Sequence, residues 1–200
     1  MEHAKALRWS GRYLKVTQDK GLILRPSNSR ELEVFVDADF TGNWNKNEAW
    51  DRDTTRSRNG YIVSYHGCPI IWESQMQTEI ALSSTKSEYT GLSYNLREDI
   101  PMIELLKEMK RNGFKVDLAN PKVHCSVFED NTGALEIART HKYRPRTKHL
   151  NICLHHFRDY VTRGEITIHH IDTTEQPANF LNKAVNEKTL KRLRKAVMGW

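Results

Sequence analysis

The stretch EVFVDADF, residues 33–40, is a short apolar run that carries two carboxylates near its end, Asp37 and Asp39. Its β-branched and aromatic residues, followed by a turn at Thr41, predict a buried strand. An unpaired carboxylate inside a core costs free energy, so an acid in such a strand needs a partner. Asp37 is therefore either the first of several carboxylates that meet at one point or a polar residue at a strand end.

The sequence on both sides of this strand predicts an α/β fold. Two strands, at 60–65 and 69–72, follow it as a hairpin, and two more, at 123–128 and 165–171, are entered through helices. Helical patterns cover 2–18, 81–110, 132–139, 150–162, 176–183 and 187–197, with Pro101 as a kink or junction and a short strand at 22–24. Sequential strands favour an antiparallel meander and helical crossovers favour parallel strands. The prediction is a five-stranded mixed sheet flanked by helices.

The composition is that of a basic globular chain with one main domain. Its 200 residues carry a net charge of +6, with a pI of about 9.2, which is compatible with a polyanionic partner without requiring one. Cys68, Cys125 and Cys153 are widely spaced, without a signal peptide or a membrane-length apolar run. We therefore predict reduced thiols in an intracellular protein without membrane contact, located in the cytoplasm with the nucleus as an alternative.

Two further acids occupy positions from which they can reach Asp37. Glu88 lies in the first turn of the long helix, and Asp130 ends the fourth strand. Each acid also has an ordinary explanation: a turn residue for Asp37, a capping box with Thr85 for Glu88, and a helix cap made by Asp130 with Asn131. Strand ends and the start of a helix packed on them can nevertheless meet at one edge of a sheet. Clustered carboxylates normally require a divalent cation, so together these residues predict a metal centre.

Four blocks of sequence follow one another in a recognisable order: VDADF, GYIVSYHGCPIIWESQMQTEIALSSTKSEY, VFEDNTGALEIA and RPRTKHLNICLHHFRDYVTRGEITIHHIDTTEQPANFLNK. This succession, from residue 32 to 183, resembles the ribonuclease H domain of copia-type LTR retrotransposon polyproteins. The leading helix resembles the end of the reverse transcriptase connection in such polyproteins. The resemblance implies a ribonuclease H-like domain at 31–184, preceded by a helix and linker at 1–30 and followed by an amphipathic helix at 185–200.

The resemblance also implies a set of site residues. Asp37, Glu88 and Asp130 match the first three acids of the family's Asp-Glu-Asp-Asp quartet, and Asp39 is a bystander. The fourth acid belongs to a Gln-x-Ala-Asp motif, which in this chain ends in Asn179. An asparagine offers an oxygen to a cation but no charge, so we expect weaker metal binding. Two nearby acids are candidates to compensate: Asp172 and Glu175.

The activity that the resemblance implies is hydrolysis of the RNA strand of RNA–DNA hybrids during reverse transcription. Two Mg²⁺ ions, which Mn²⁺ can replace, would activate the water and stabilise the leaving oxygen. The expected partners are the hybrid and a reverse transcriptase domain of the same polyprotein. The alternative is a catalytically dead module that keeps the fold and binds nucleic acid or a partner subunit.

A basic segment in the second half of the chain is a candidate for phosphate contact. It combines bases with one aromatic side chain that can stack on a base: Lys142, Tyr143, Arg144, Arg146 and Lys148. A solvated loop is the alternative interpretation, and Arg56 and Arg58 are weaker candidates of the same kind. A zinc site made of His149, Cys153, His155 and His156 is disfavoured. The adjacent His155 and His156 point away from each other, and the sequence has no second cysteine pair.

Overall fold

The computed structural model describes residues 2–27, 31–42, 44–48, 50–116, 123–139 and 156–200. The strands are β1 Leu32–Asp39, β2 Arg58–Tyr65, β3 Cys68–Met76, β4 Cys125–Glu129 and β5 Ile166–His170. The helices are α1 Glu2–Val16, α2 Arg52–Thr55, α3 Ser84–Arg111, α4 Thr132–Arg139, α5 at 156–162, α6 Asn179–Asn182 and α7 Glu187–Met198.

The strands form one mixed sheet in the order β3-β2-β1-β4-β5. β1, β2 and β3 pair antiparallel, whereas β4 pairs parallel with β1 and β5 parallel with β4. The β2–β3 turn is made by His66 and Gly67, both with positive φ, as a tight two-residue hairpin requires. The predicted five-stranded mixed sheet flanked by helices is therefore confirmed.

β1 lies at the centre of the sheet, between β2 and β4, and one of its faces is fully buried. Leu32, Val34 and Val36 are at most 1% exposed and belong to the main hydrophobic core. That core includes side chains from the sheet and from the helices that cover it: Val63, Tyr89, Leu92, Leu96, Ile103, Val127, Phe157 and Ile166. Burying one such aliphatic or aromatic side chain contributes about 1.5–3 kcal/mol, so α3 is held firmly against β1.

The long helix α3 is a single element of 28 residues that contains Pro101. It begins after Ser83, whose hydroxyl accepts a hydrogen bond of 3.1 Å from the backbone N–H of Lys86. Its last residue is Arg111 and its C-cap is Asn112, which is followed by Gly113 with a φ of 81°. A junction of two helices, one of the two predictions for Pro101, is therefore wrong.

Several predicted boundaries differ from the structure. Residues 22–24 form no strand, and the backbone N–H of Ile23 donates a hydrogen bond to the carbonyl of Met198 in α7. The helix predicted at 176–183 is limited to α6. The long loop after β1 contains a 3-10 turn at Lys46–Glu48 and α2. Of the helix predicted at 150–162, residues 150–155 lie outside the described part of the chain.

Two of the three cysteines are described, and both, Cys68 and Cys125, are buried and free. Cys153 lies outside the described residues. Among the helices that the structure describes, none combines the length and the apolar character needed to cross a membrane.

Candidate metal centre

Three carboxylates from distant parts of the chain meet at one edge of the sheet. Asp37, Glu88 and Asp130 each offer an oxygen, and these oxygens all lie within 4.8 Å of one another. β1 and β4 are parallel neighbours, so their carboxyl ends reach the same edge, where the first turns of α3 also pack. The structure thus brings together the three acids that the sequence analysis singled out.

None of these acids serves as the turn residue or helix cap that was the alternative explanation for it. Asp37 is completely buried inside β1. Glu88 Oε2 accepts a hydrogen bond of 2.6 Å from the backbone N–H of Ala38. The cap of α3 is Ser83, so the predicted capping box is wrong. The side chain that caps α4 is Asn131, which accepts a hydrogen bond from the N–H of Ala134.

The third acid, Asp130, is oriented by a hydroxyl group from the segment after β5. Thr173 Oγ1 donates a hydrogen bond of 2.7 Å to Asp130 Oδ2. Because the bond occupies one carboxylate oxygen of Asp130, it limits the directions in which the other oxygen can point. Thr173 therefore acts on the centre by orienting an acid.

Asp37 is paired with two side chains from the end of α6. Lys183 Nζ lies 3.0 Å from both carboxylate oxygens of Asp37. Asn182 Nδ2 donates a hydrogen bond of 2.6 Å to Asp37 Oδ2. The sequence analysis quoted the segment that contains both residues but assigned them no role. The sequence feature that could have identified Lys183 is its position shortly after the Gln-x-Ala-Asn motif.

α6 can approach Asp37 closely because the facing residue has no side chain. Gly60 lies opposite Asp37 in the β1–β2 pairing. A Cβ atom at Gly60 would lie 2.9 Å from Leu181 Cβ and 3.1 Å from the carbonyl oxygen of Ala178. The hydroxyl of Ser74 in β3 donates a hydrogen bond to the carbonyl of Leu181 and helps to hold α6 there.

The electrostatics of the cluster favour the binding of a cation. Burial, together with the negative charges of Glu129, Asp37 and Asp130, raises the pKa of Glu88 to about 10. Burial also raises the pKa of Asp37, although the ammonium of Lys183 partly opposes this. Burial would lower the pKa of Lys183, but the charge and hydrogen bond of Asp37, together with the charges of Glu88 and Asp130, outweigh this effect and the pKa is raised. A divalent cation would stabilise the ionised carboxylates directly.

Glu129 is a fourth buried acid beside this cluster, and the sequence analysis missed it. Its side chain is inaccessible to solvent, and Oε1 accepts a hydrogen bond of 3.0 Å from the N–H of Asn131. Oε2 has no hydrogen-bond partner among the described residues. Burial raises the pKa of Glu129 to about 8. Its place at the end of a buried strand, next to Asp130, was the signal that could have identified it.

Asn179, at the position of the expected fourth acid, is the first residue of α6 and only 7% exposed. Its Nδ2 donates a hydrogen bond of 2.6 Å to the carbonyl of Thr173. Its Oδ1 is buried without a hydrogen-bond partner in the described part of the chain. This oxygen is a neutral donor atom that a cation can use, and it is linked to Asp130 through Thr173.

The two acids proposed to compensate for Asn179 are engaged elsewhere. Asp172 Oδ1 accepts hydrogen bonds from the backbone and hydroxyl of Thr174. Glu175 pairs with Arg192 at 3.2 Å. Within the described residues, the group of acids that meets around one point contains neither of them.

Gln176, the first residue of the same motif, bridges two strands. It is completely buried, and its Nε2 donates hydrogen bonds to the carbonyls of Val36 at 2.8 Å and Phe128 at 3.3 Å. The register of β1 and β4 ends at Phe35 and Phe128. Gln176 therefore joins the two strands where their own pairing stops, just before Asp37 and Asp130.

The predicted phosphate-binding residues are only partly described. Arg56 Nε donates to the carbonyl of Gln77 at 2.6 Å, and Arg58 Nη1 donates to Ser74 Oγ at 3.3 Å. Five candidates lie outside the described residues: Lys142, Tyr143, Arg144, Arg146 and Lys148. The same holds for three of the four residues weighed as a zinc site: His149, Cys153 and His155.

Comparison with known proteins gives relatives along nearly the whole chain, although no family model matches it. The chain is 32% identical to the retrovirus-related Pol polyprotein from transposon RE1 of Arabidopsis thaliana and 31% identical to that from transposon RE2 of the same plant. Each match covers 185 residues, which are 92% of this chain and 12% of the relative's length.

Among solved structures, LC11-RNase H1 isolated from compost has a TM-score of 0.47 and 16% identity. That match covers 76% of this chain and 93% of the other. The relatives in sequence are more informative, because they span the four quoted blocks and the acids within them. The chain therefore resembles, over 92% of its length, one segment of the retrovirus-related Pol polyproteins of copia-type transposons.

Proposed function

We propose that this chain is a ribonuclease H segment that cleaves the RNA strand of RNA–DNA hybrids with the help of a divalent metal ion. The observation that carries this proposal is the convergence of Asp37, Glu88 and Asp130 within 4.8 Å. Its relatives among Pol polyproteins support the same reading, because reverse transcription produces such hybrids. The proposed domain is 31–184, with 1–30 and 185–200 as flanking segments.

The donor set suits a hard cation such as Mg²⁺, which Mn²⁺ can replace. Two observations support this fit: the raised pKa of Glu88 and the unpartnered oxygen of Asn179. The bound metal would supply water activation and stabilisation of the leaving oxygen. The presence of two ions, as the family resemblance implies, stays a prediction.

The chain's own residues prepare the centre for this role. The N–H of Ala38 holds Glu88, and the hydroxyl of Thr173 orients Asp130. Asn179 brings an oxygen without a charge, so we expect metal affinity and cleavage below those of a site with four carboxylates. The proposed setting is a polyprotein with a reverse transcriptase domain, in the cytoplasm or the nucleus.

The test is an assay with labelled RNA–DNA hybrid in Mg²⁺ or Mn²⁺, with single-stranded RNA and an RNA duplex as competing substrates. We expect cleavage of the hybrid alone, its loss in Asp37→Asn and its increase in Asn179→Asp. Asp19→Asn is the matched control, because the side chain of Asp19 is 68% exposed and pairs with neighbouring Lys20.

The alternative is a catalytically dead module that binds nucleic acid or a partner subunit. The neutral Asn179 favours this reading, whereas the three converging acids oppose it. Tight binding of the hybrid without cleavage in either metal would support the alternative and contradict the proposed activity.

A further inference from the structure

We propose that Lys183 is a built-in second cation of this centre, so that the chain free of nucleic acid binds one divalent ion rather than two. The inference rests on the proposed metal site and goes beyond it, because it assigns a role to a lysine and sets the number of ions. Its basis is the contact between Lys183 and Asp37 together with the neutral residue at position 179.

The geometry of Lys183 is that of a cation bound by Asp37. Its Nζ lies 3.0 Å from both oxygens of a carboxylate that is completely buried. The amide of Asn182 donates to one of the same oxygens, which restrains the carboxylate in the orientation that faces the ammonium. Lys183, whose side chain is 32% exposed, thus neutralises Asp37 from the rim of the site.

The position of Lys183 is coupled to that of Asn179. The backbone N–H of Lys183 donates a hydrogen bond of 3.0 Å to the carbonyl of Asn179, which closes α6. The same short helix therefore carries a neutral residue where an acid is expected and a positive charge directed at the central acid. Both features lower the negative charge available for divalent cations.

The charges of the centre agree with a single divalent ion. Among the described residues, the acids whose oxygens meet at one point are Asp37, Glu88 and Asp130, without Glu129. When ionised they carry three negative charges, and the ammonium of Lys183 cancels one of them. One divalent ion cancels the remaining two. A second divalent ion would have to approach Asp37 against the ammonium, at a contact distance where like charges repel strongly.

The simpler explanation is that Lys183 forms an ordinary ion pair with Asp37 and that its side chain moves away from Asp37 when metal ions bind. The two readings differ in the number of ions bound. An ordinary ion pair predicts the same number with and without the lysine charge, whereas a built-in cation predicts one more ion once that charge is removed.

The experiment counts Mn²⁺ ions bound to the purified chain without nucleic acid, from the free Mn²⁺ signal in electron paramagnetic resonance and from calorimetric titration. The variants are Lys183→Met, which removes the charge and keeps most of the stem, and Lys183→Arg, which keeps the charge. Lys191→Met is the matched control, because Lys191 pairs with Glu187 on the exposed side of α7.

We expect one Mn²⁺ per native chain, per Lys183→Arg and per Lys191→Met, and two per Lys183→Met. Two ions in the native chain, or one in a folded Lys183→Met, would overturn the proposal. A native count of two overturns the proposal even if Lys183→Met fails to fold, and Lys183→Gln is a second neutral variant for the case of a native count of one.

The outcome is separable from that of the proposed function. Hybrid cleavage by a native chain that binds two ions would overturn this inference alone. A count that rises from one to two on loss of the lysine charge, without any cleavage, would leave the inference standing and contradict the activity. No Mn²⁺ binding in any variant would overturn both.

Discussion

Glu88 Oε2 accepts a hydrogen bond of 2.6 Å from the backbone N–H of Ala38, the residue that directly follows Asp37 in β1. Ala38 lies beyond the last pair between β1 and β4, at Phe35 and Phe128. The backbone N–H of Ala38, which lies beyond the pairing with β4, therefore holds Glu88 of α3 next to Asp37 of β1.

We expect Glu88→Gln to abolish measurable cleavage and to stabilise the metal-free fold. Glutamine keeps an oxygen for the N–H of Ala38, and it is neutral beside Asp37 and Asp130 without taking up a proton. At pH 8 in EDTA, the free energy of unfolding should rise by about 2 kcal/mol, since the buried carboxyl must otherwise take up a proton. Chemical denaturation measures this, with exposed Glu79→Gln as the control. An unchanged or lower stability would contradict the prediction.

We expect the metal-free fold to lose stability as the pH rises. The pKa values of Glu88 and Glu129 are raised from 4.5 to about 10 and about 8, mainly by burial. The folded chain therefore binds protons more tightly than the unfolded chain, and the free energy of unfolding falls from pH 4.5 upward through these values. Thermal melts in EDTA should show Tm falling between about pH 5 and pH 9.

Added Mg²⁺ should raise Tm more at the alkaline end of that range, because the cation favours the ionised carboxylates. A Tm in EDTA that is independent of pH, or a Mg²⁺ shift that is the same at every pH, would contradict this expectation.

We expect Asn179→Asp to be less stable than the native chain without metal and to gain more from Mn²⁺. The native Nδ2 donates to the carbonyl of Thr173, and an aspartate oxygen there would face that carbonyl without a proton. The cost in EDTA should be about 1–3 kcal/mol. Melts with and without Mn²⁺ measure it, with exposed Asn47→Asp as the control. Equal stability in EDTA, together with an equal Mn²⁺ shift, would argue against this geometry.

We expect Gly60→Ala to loosen α6 and weaken metal binding. Its methyl group would lie 2.9 Å from Leu181 Cβ, so α6 must shift away from β2 and take Asn182 with it. The loss of stability should be about 1–3 kcal/mol, with a lower Mn²⁺ affinity in calorimetric titration. Gly21→Ala is the control, because nothing lies within 4 Å of a Cβ at Gly21. Native-like stability and affinity would show that α6 tolerates the methyl group.

We expect Gln176→Leu to destabilise the site by leaving two buried carbonyls without their donor. Val36 and Phe128 would each lose a hydrogen bond, at a cost of about 1–3 kcal/mol for each buried group. Denaturation and Mn²⁺ titration should both report a loss, whereas the exposed control Gln75→Leu should change little. A stable variant with unchanged Mn²⁺ affinity would rule out the bridging role.

The sequence by itself determined the sheet and the first three acids. The apolar run of β1, the β2–β3 hairpin and the helical spacing of α3 are encoded within a few neighbouring residues, so local patterns are sufficient to predict them. Asp37, Glu88 and Asp130 were predictable as a group, because each lies at an element end that the topology brings to one edge.

The tertiary structure alone decided the surroundings of these acids. Asn182, Lys183 and Gln176 contact β1 residues that are 145, 146 and 140 positions away in the chain. Such contacts depend on how closely α6 can approach the sheet at Gly60, and no local pattern records that distance. The burial of Glu129 was equally invisible, because the pKa of an acid depends on neighbours that only packing supplies.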